Sequence, residues 1–233
     1  WDTANNVLYR YMDGGFRAIG VTPPALYFGD RGLRFGGYDT GVDYSNVIDY
    51  WDITSAGNAT DFGDLTLKRN YVASCSNASR AVSMGGASTA GGDGTSQTTS
   101  GTNIIDYVTI STTGNATDFG DLLTRKSRAA SESNGTRAIH GGGISGDSGA
   151  YTNTIEYVTI ANTGNSTDFG DLTVTRERLS AASNGSRIVF VGGLGASNYN
   201  TMDYVTGDTT GNATDFGDLL STLANMGATG TGT

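Results

Sequence analysis

The hexapeptide Thr-Asp-Phe-Gly-Asp-Leu occurs four times, at Thr60 to Leu65, Thr117 to Leu122, Thr167 to Leu172 and Thr214 to Leu219. Its leading aspartates, Asp61, Asp118, Asp168 and Asp215, stand 57, 50 and 47 residues apart. An unchanged motif on a drifting period means conserved elements joined by loops of variable length, so the chain must be four copies of one structural unit.

Other segments keep step with the hexapeptide. Each copy carries a hairpin signal such as Asn184-Gly185 between Leu179–Ser183 and Ser186–Val191, and an Asn-Gly flanked by strand-like runs is a strong mark of a tight two-residue turn. A glycine doublet then ends the second run, at Gly36-Gly37, Gly85-Gly86, Gly141-Gly142 and Gly192-Gly193. After a loop of variable length comes an alternating third run with an acidic-aromatic pair: Asp49-Tyr50, Asp106-Tyr107, Glu156-Tyr157 and Asp203-Tyr204. A Gly-Asn turn (Gly57-Asn58, Gly114-Asn115, Gly164-Asn165, Gly211-Asn212) leads into the hexapeptide as a fourth strand. Four short strands per copy predict an all-β chain, a β-propeller with four recognisable blades of four antiparallel strands. A fifth blade, composed from residues 1–24 with the tail or supplied by a neighbouring subunit, stays open. The expected organisation is an N-terminal junction or partial blade at 1–24, the propeller at 25–223 and a flexible tail at 224–233.

Glycine is 36 of 233 residues and proline only two, as expected of short strands with tight turns rather than a Pro-rich linker or collagen. The 14 basic and 23 acidic residues leave a net charge of −9, which repels a phosphate backbone and argues against nucleic acid as a partner. One cysteine, Cys75, forbids an internal disulfide. No apolar run reaches the roughly eighteen residues a membrane-spanning helix needs, so no membrane insertion is expected.

The order of strand, turn, strand ending in Gly-Gly, loop, strand with an acidic-aromatic pair, and a last strand with an aromatic, a leucine and a nearby arginine resembles the kelch repeat of β-propellers. The resemblance covers roughly residues 25–223. It departs from the kelch pattern in carrying Phe62, Phe119, Phe169 and Phe216 where that repeat normally has tryptophan, and the arginine, read as Arg69, Arg125 and Arg176, becomes Leu223 in the last copy. The run from Tyr107 through Gly114-Asn-Ala-Thr-Asp-Phe-Gly-Asp-Leu122 is similar, more narrowly, to tandem repeats in kelch-like virion proteins of marine and cyanobacterial tailed bacteriophages. That likeness implies a non-enzymatic virion protein, a fibre, spike or decoration component. Its expected location is the particle surface, and its expected partners are other virion proteins, further copies of itself, and a host-surface glycan or receptor. A secreted, lectin-like propeller that binds glycans is the alternative.

Individual residues fit this reading. The pairs Asp61/Asp64, Asp118/Asp121, Asp168/Asp171 and Asp215/Asp218 have the oxygen chemistry for calcium, but a pair in every copy reads first as turn acceptors. No cofactor and no metal ligand is therefore assigned. His140, the single histidine, is read as a strand residue in the place of Met84, Phe35 or Val191. It has no second histidine with which to build a copper site of the kind that supports oxidase chemistry, and no catalytic residue is assigned. Arg31, Arg80, Arg137 and Arg187 on the second strand are expected to pair with Asp49, Asp106, Glu156 and Asp203 on the third. The seven Asn-x-Ser/Thr triplets at Asn58, Asn77, Asn115, Asn134, Asn165, Asn184 and Asn212 fall at turns, which accounts for them before glycosylation does. The loops after the glycine doublets are the candidate binding surface, with Tyr38, Tyr44, Tyr151, Asn198 and Tyr199 as its candidate residues.

Overall fold

The structure is a computed structural model that describes residues 8–12, 15–19, 29–39, 43–88 and 101–230. Every regular element among them is a β-strand. β1 (Leu8–Met12) and β2 (Gly15–Ile19) make an antiparallel pair. The first repeat forms a three-stranded sheet of β3 (Arg31–Asp39), β4 (Asp43–Asp52) and β5 (Thr60–Asp64). The second contributes β6 (Ala73–Ser76), β7 (Arg80–Met84), β8 (Thr102–Thr109) and β9 (Thr117–Ser127). The third contributes β10 (Ala130–Ser133), β11 (Arg137–Gly141), β12 (Ile144–Ser145), β13 (Thr154–Thr159) and β14 (Thr167–Asp171). The fourth contributes β15 (Ser180–Ser183), β16 (Arg187–Val191), β17 (Thr201–Thr206) and β18 (Thr214–Asp218). Each repeat is an antiparallel meander with the hexapeptide on its outer strand, and β12 leaves its own repeat to pair with the far end of β9. The expected strand at 25–28 and most of the loop at 87–102 lie outside the described residues.

Local chemistry explains the hairpins. Asn77, Asn134 and Asn184 each accept two backbone N–H groups from the residues two and three ahead, at 2.7–3.1 Å, closing the turn between first and second strands. Between third and fourth strands every sheet shifts register at an equivalent place: Ile48/Asp49, Ile105/Asp106, Ile155/Glu156 and Met202/Asp203, the second sheet carrying a further shift at Thr102/Ile104. Opposite that shift stands the hexapeptide glycine, at φ between +128° and +146°, a backbone shape that glycine adopts without steric cost.

The glycine doublets lie in the left-handed region at Gly36-Gly37, Gly85-Gly86, Gly142-Gly143 and Gly192-Gly193. The third doublet is thus one residue later than the sequence predicts, because three consecutive glycines hide the register. His140 consequently aligns with Ser83, Arg34 and Phe190, and Gly141 takes the place of Phe35, Met84 and Val191. The second glycine of each doublet donates to a carbonyl in the segment leaving the same sheet: Arg69, Lys126, Arg176 and Leu223, at 2.8–2.9 Å.

The hydrophobic core is divided into three layers, each between consecutive sheets. In the first, Phe35, Ile48, Phe62 and Leu65 meet Ala81, Val108 and Ile110. In the second, Val82, Met84, Ile105, Phe119 and Leu122 meet Ala138, Val158 and Ile160. In the third, Ile139, Ile155, Phe169 and Leu172 meet Ile188, Phe190 and Val205. Alternation along the third strand makes this possible, since Ile105 faces the following sheet while Val108 faces the preceding one. Gly141 leaves room for the Phe190 ring, against which a Cβ there would press. The first strands β6, β10 and β15 lie side by side.

The hexapeptide and the Gly-Asn turn prove to be two halves of one joint. Gly114, Gly164 and Gly211 donate N–H to the carbonyls of Phe62, Phe119 and Phe169 in the preceding sheet, all at 2.7 Å. The side-chain oxygens of Asn115, Asn165 and Asn212 accept from the N–H of Asp64, Asp121 and Asp171, at 3.0–3.1 Å. The approach is so close that a Cβ on Gly63, Gly120 or Gly170 would run into the opposing glycine carbonyl. Gly217, at the open end, would meet only the Met202 methyl at 3.9 Å. Gly120→Ala is therefore expected to cost roughly 2–4 kcal/mol, and Gly217→Ala about 1 kcal/mol from backbone conformation alone. Urea unfolding of the two variants checks this difference.

Candidate functional site

The third-strand acids of the last three sheets, Asp106, Glu156 and Asp203, are buried, and their partners come from outside their own sheet. Arg69, in the segment entering the second repeat, pairs with Asp106 at 2.5 Å, Lys126 with Glu156 at 2.5 Å, and Arg176 with Asp203 at 2.9 Å; all six side chains are essentially free of solvent. The cation of the second copy is Lys126 and not Arg125, which instead reaches Asp147 at 3.6 Å near the surface. The exchange is matched in length, since a shorter cation meets a longer acid. Burial pulls the Arg69, Lys126 and Arg176 cations below their ordinary values, opposed chiefly by the facing carboxylate. Burial alone would raise the Glu156 carboxyl, but Lys126, His140 and Ser166 outweigh it and hold it low.

Each buried acid also needs a hydroxyl, and the copies supply it from two different places. Thr66 Oγ1 donates to Asp106 at 2.7 Å and Thr173 Oγ1 to Asp203 at 2.6 Å. The second copy has Leu123 at that position, and Ser166 Oγ donates to Glu156 at 2.6 Å, where the other copies carry Ala116 and Ala213. The hydroxyl has moved across the joint without being lost.

The second-strand arginines do not pair with these acids, contrary to the sequence expectation. Arg31, Arg80, Arg137 and Arg187 lie over the rings of Tyr50, Tyr107, Tyr157 and Tyr204, at 4.4–4.8 Å. Those tyrosines meet Phe62, Phe119, Phe169 and Phe216 edge-on at 5.7–5.8 Å. From that position Arg31, Arg80 and Arg137 donate to carbonyls of the next sheet, at Ile110, Ile160 and Gly207. Of the four acids only Asp49, on the first repeat's sheet, pairs with an arginine of its own sheet, Arg34, at 2.5 Å. Among the hexapeptide aspartates, Asp215 accepts the Gly217 N–H at 3.1 Å as a turn acceptor, while Asp64, Asp121 and Asp171 serve the joint through their backbone.

His140 lies beside the Lys126–Glu156 pair, buried, with Nδ1 2.8 Å from Ser131 Oγ. Burial, reinforced by Lys126, lowers its pKa to about 3, so it is neutral and enclosed. Cys75 is partly buried, and burial pushes its thiol up. Among the described residues, no group of three or more His, Cys, Asp or Glu side chains is placed to hold a metal ion, and no helix is long and apolar enough to cross a membrane.

The candidate binding residues are distributed over three sheets, and Tyr38 and Tyr44 are cross-strand partners on β3 and β4, not members of a loop, because the two strands continue past the glycine doublet. Tyr38 is 54% exposed and stands edge-on, at 5.9 Å, to the buried Tyr44, which is 2% exposed. Tyr151 is exposed on the loop of the third repeat, Asn198 is exposed on that of the fourth, and Tyr199 is half-buried against Gly195. The concavities that sequence reasoning missed are shallow hairpin sites repeated between third and fourth strands. One, of about 340 Å³, is lined by Tyr107, Thr109, Thr112 and Asn115; another, of about 230 Å³, by Tyr157, Thr159, Asn162 and Asn165. Their signal was the repeated Thr-Gly-Asn of the hairpin. Comparison with models of protein families finds no match, and comparison with curated proteins finds no relative.

Two outcomes follow. Ser166→Ala should destabilise the fold by about 1–3 kcal/mol by removing one of the hydrogen bonds to a buried carboxylate, leaving it the Leu123 N–H and Lys126, and adding Leu123→Thr should restore much of it; chemical denaturation of both variants reads this. His140 is protonated more readily in the unfolded chain than in the folded one, so stability is fully present above about pH 6.5 and falls as the pH drops from there toward about 3. His140→Ser, the residue of the second copy at this position, should flatten that slope, as followed by thermal unfolding from pH 7 to pH 4.

Proposed function

We propose that the four sheets are the blades of a kelch-like β-propeller and that the protein is a non-enzymatic structural component of a bacteriophage particle, a fibre, spike or decoration protein. The propeller reading is supported by the lateral run of β6, β10 and β15, with each sheet facing its successor through its own apolar layer. One observation carries the functional reading. The recurring charged and amide side chains are engaged in holding sheet to sheet: the cations of the connecting segments, the third-strand acids and the asparagines of the interior Gly-Asn turns. What varies between repeats is loop length and loop surface, the pattern of a scaffold that presents its loops. The exposure of Tyr38, Tyr151 and Asn198 supports attachment to a host surface through these residues.

A lectin-like propeller is the second reading, favoured by the hairpin concavities that recur with the same Tyr, Thr and Asn lining. Mass spectrometry of purified particles tests the first reading: the chain should appear among virion proteins at a fixed copy number. Its absence from particles, together with a free secreted form that binds a glycan array, would favour the second.

A further inference from the structure

The array has two ends, and each retains half of the joint that the interior makes three times. On the fourth sheet Phe216 is 48% exposed, whereas Phe62, Phe119 and Phe169 are each 2% exposed. No Gly-Asn turn among the described residues reaches Phe216 or Asp218, and Gly217 faces open space but for Met202. On the first sheet the Gly57-Asn58 turn is exposed, and Asn58 has no partner among the described residues. On the same side, Trp51 and Ile53 stand where Val108 and Ile110 stand in the second sheet, and both are exposed, Trp51 at 40% with its indole lying across Gly32.

We propose that the protein associates head to tail with a second copy of itself, the Gly57-Asn58 turn of one copy closing on Phe216-Gly217-Asp218 of the other. Trp51 and Ile53 then cover Phe216. This association rests on the interior joints and not on a virion role. The asparagine that completes the joint is kept at the open end of the first sheet, where it has no partner among the described residues, and Gly217, whose positive φ its own sheet already requires, leaves the approach to Phe216 and Asp218 clear. Within the chain both halves are open at once, so its own first sheet does not close on its fourth. The two ends have also changed together in the one respect that would hinder reversible assembly. The cation position holds Leu223, and Asp49, the acid it would have met, is already paired with Arg34. The free chain thus exposes no unmatched half of a buried ion pair, and docking need not strip water from a lone charge. A joint between unlike surfaces repeats from copy to copy until it closes a ring or extends a filament.

The test uses cysteines at the two half-joints in a Cys75→Ala background, alanine being the residue at the equivalent position, Ala182. Asn58→Cys and Asp218→Cys are made as separate proteins, mixed, and oxidised. The expected result is a disulfide-linked heterodimer in the mixture that neither protein forms alone. With both cysteines in one chain, a ladder of covalent oligomers is expected. A band corresponding only to a chain cross-linked to itself would show intramolecular closure and overturn the proposal, as would the absence of any cross-link. Independently, the wild-type chain should gain mass with concentration in sedimentation equilibrium. Phe216→Glu should weaken that association by roughly a hundredfold, because a carboxylate would be buried without a partner. A wild-type chain that stays monomeric up to its solubility limit overturns the proposal, whatever the particle analysis finds.

Discussion

A charge removed from water must be met by its opposite, and in this protein the opposite is placed on the far side of a boundary between sheets. Arg69, Lys126 and Arg176 sit in the segments that leave one sheet, and the carboxylates that neutralise them belong to the next. Such pairs add little net stability over well-packed apolar residues, but leaving one member alone costs several kcal/mol. Their effect is therefore to penalise any arrangement in which a sheet is missing, displaced or out of order. The apolar layers supply the cohesion, and the ion pairs state which neighbour is acceptable.

The same economy runs through the rest of the joint. The arginines that stack on tyrosine also reach the next sheet's carbonyls, and the tyrosine in turn braces the hexapeptide phenylalanine. Close to the first strands, Tyr71, Arg128, Arg178 and Asn225 all take the left-handed conformation, at φ from +50° to +57°. Each N–H after the first donates to the carbonyl one repeat earlier, at 2.8–3.3 Å. Non-glycine residues in this region store strain of about 1 kcal/mol or more, which the neighbouring sheets hold in place. Residues 224–230 continue this progression: Asn225 donates to Arg178 O and Ala228 to Ser180 Oγ, which sets the segment beside β15.

What was legible in the sequence was what is local. Asparagine at a hairpin tip satisfies its own turn, and a phenylalanine between aspartates and glycine marks an outer strand, so repeat number, strand order and strand direction follow from short windows. What failed depended on register or on a neighbouring sheet. Three glycines in a row do not say which two are left-handed, and Arg125 beside Lys126 does not say which is buried. The acids were assigned to arginines on the adjacent strand because antiparallel pairing is the nearest source of opposite charge. The true partners lie some 27 to 37 residues back along the chain, brought close only when two sheets face each other. The Gly-Asn turn was correctly read as a turn, and its second use as a clasp needs the sheet that it grips.

The displaced hydroxyl has a consequence for how such a chain changes over generations. Leu123 and Ser166 lie in different copies of the repeat, yet one is tolerable only because of the other. A recombination that exchanged whole repeats between Leu123 and Ser166 would separate a compensating pair and leave a carboxylate under-solvated. The entity that is inherited intact is thus not the repeat seen in the sequence but the seam between two of them. Divergence among the copies should be sought in residues that face each other across that seam.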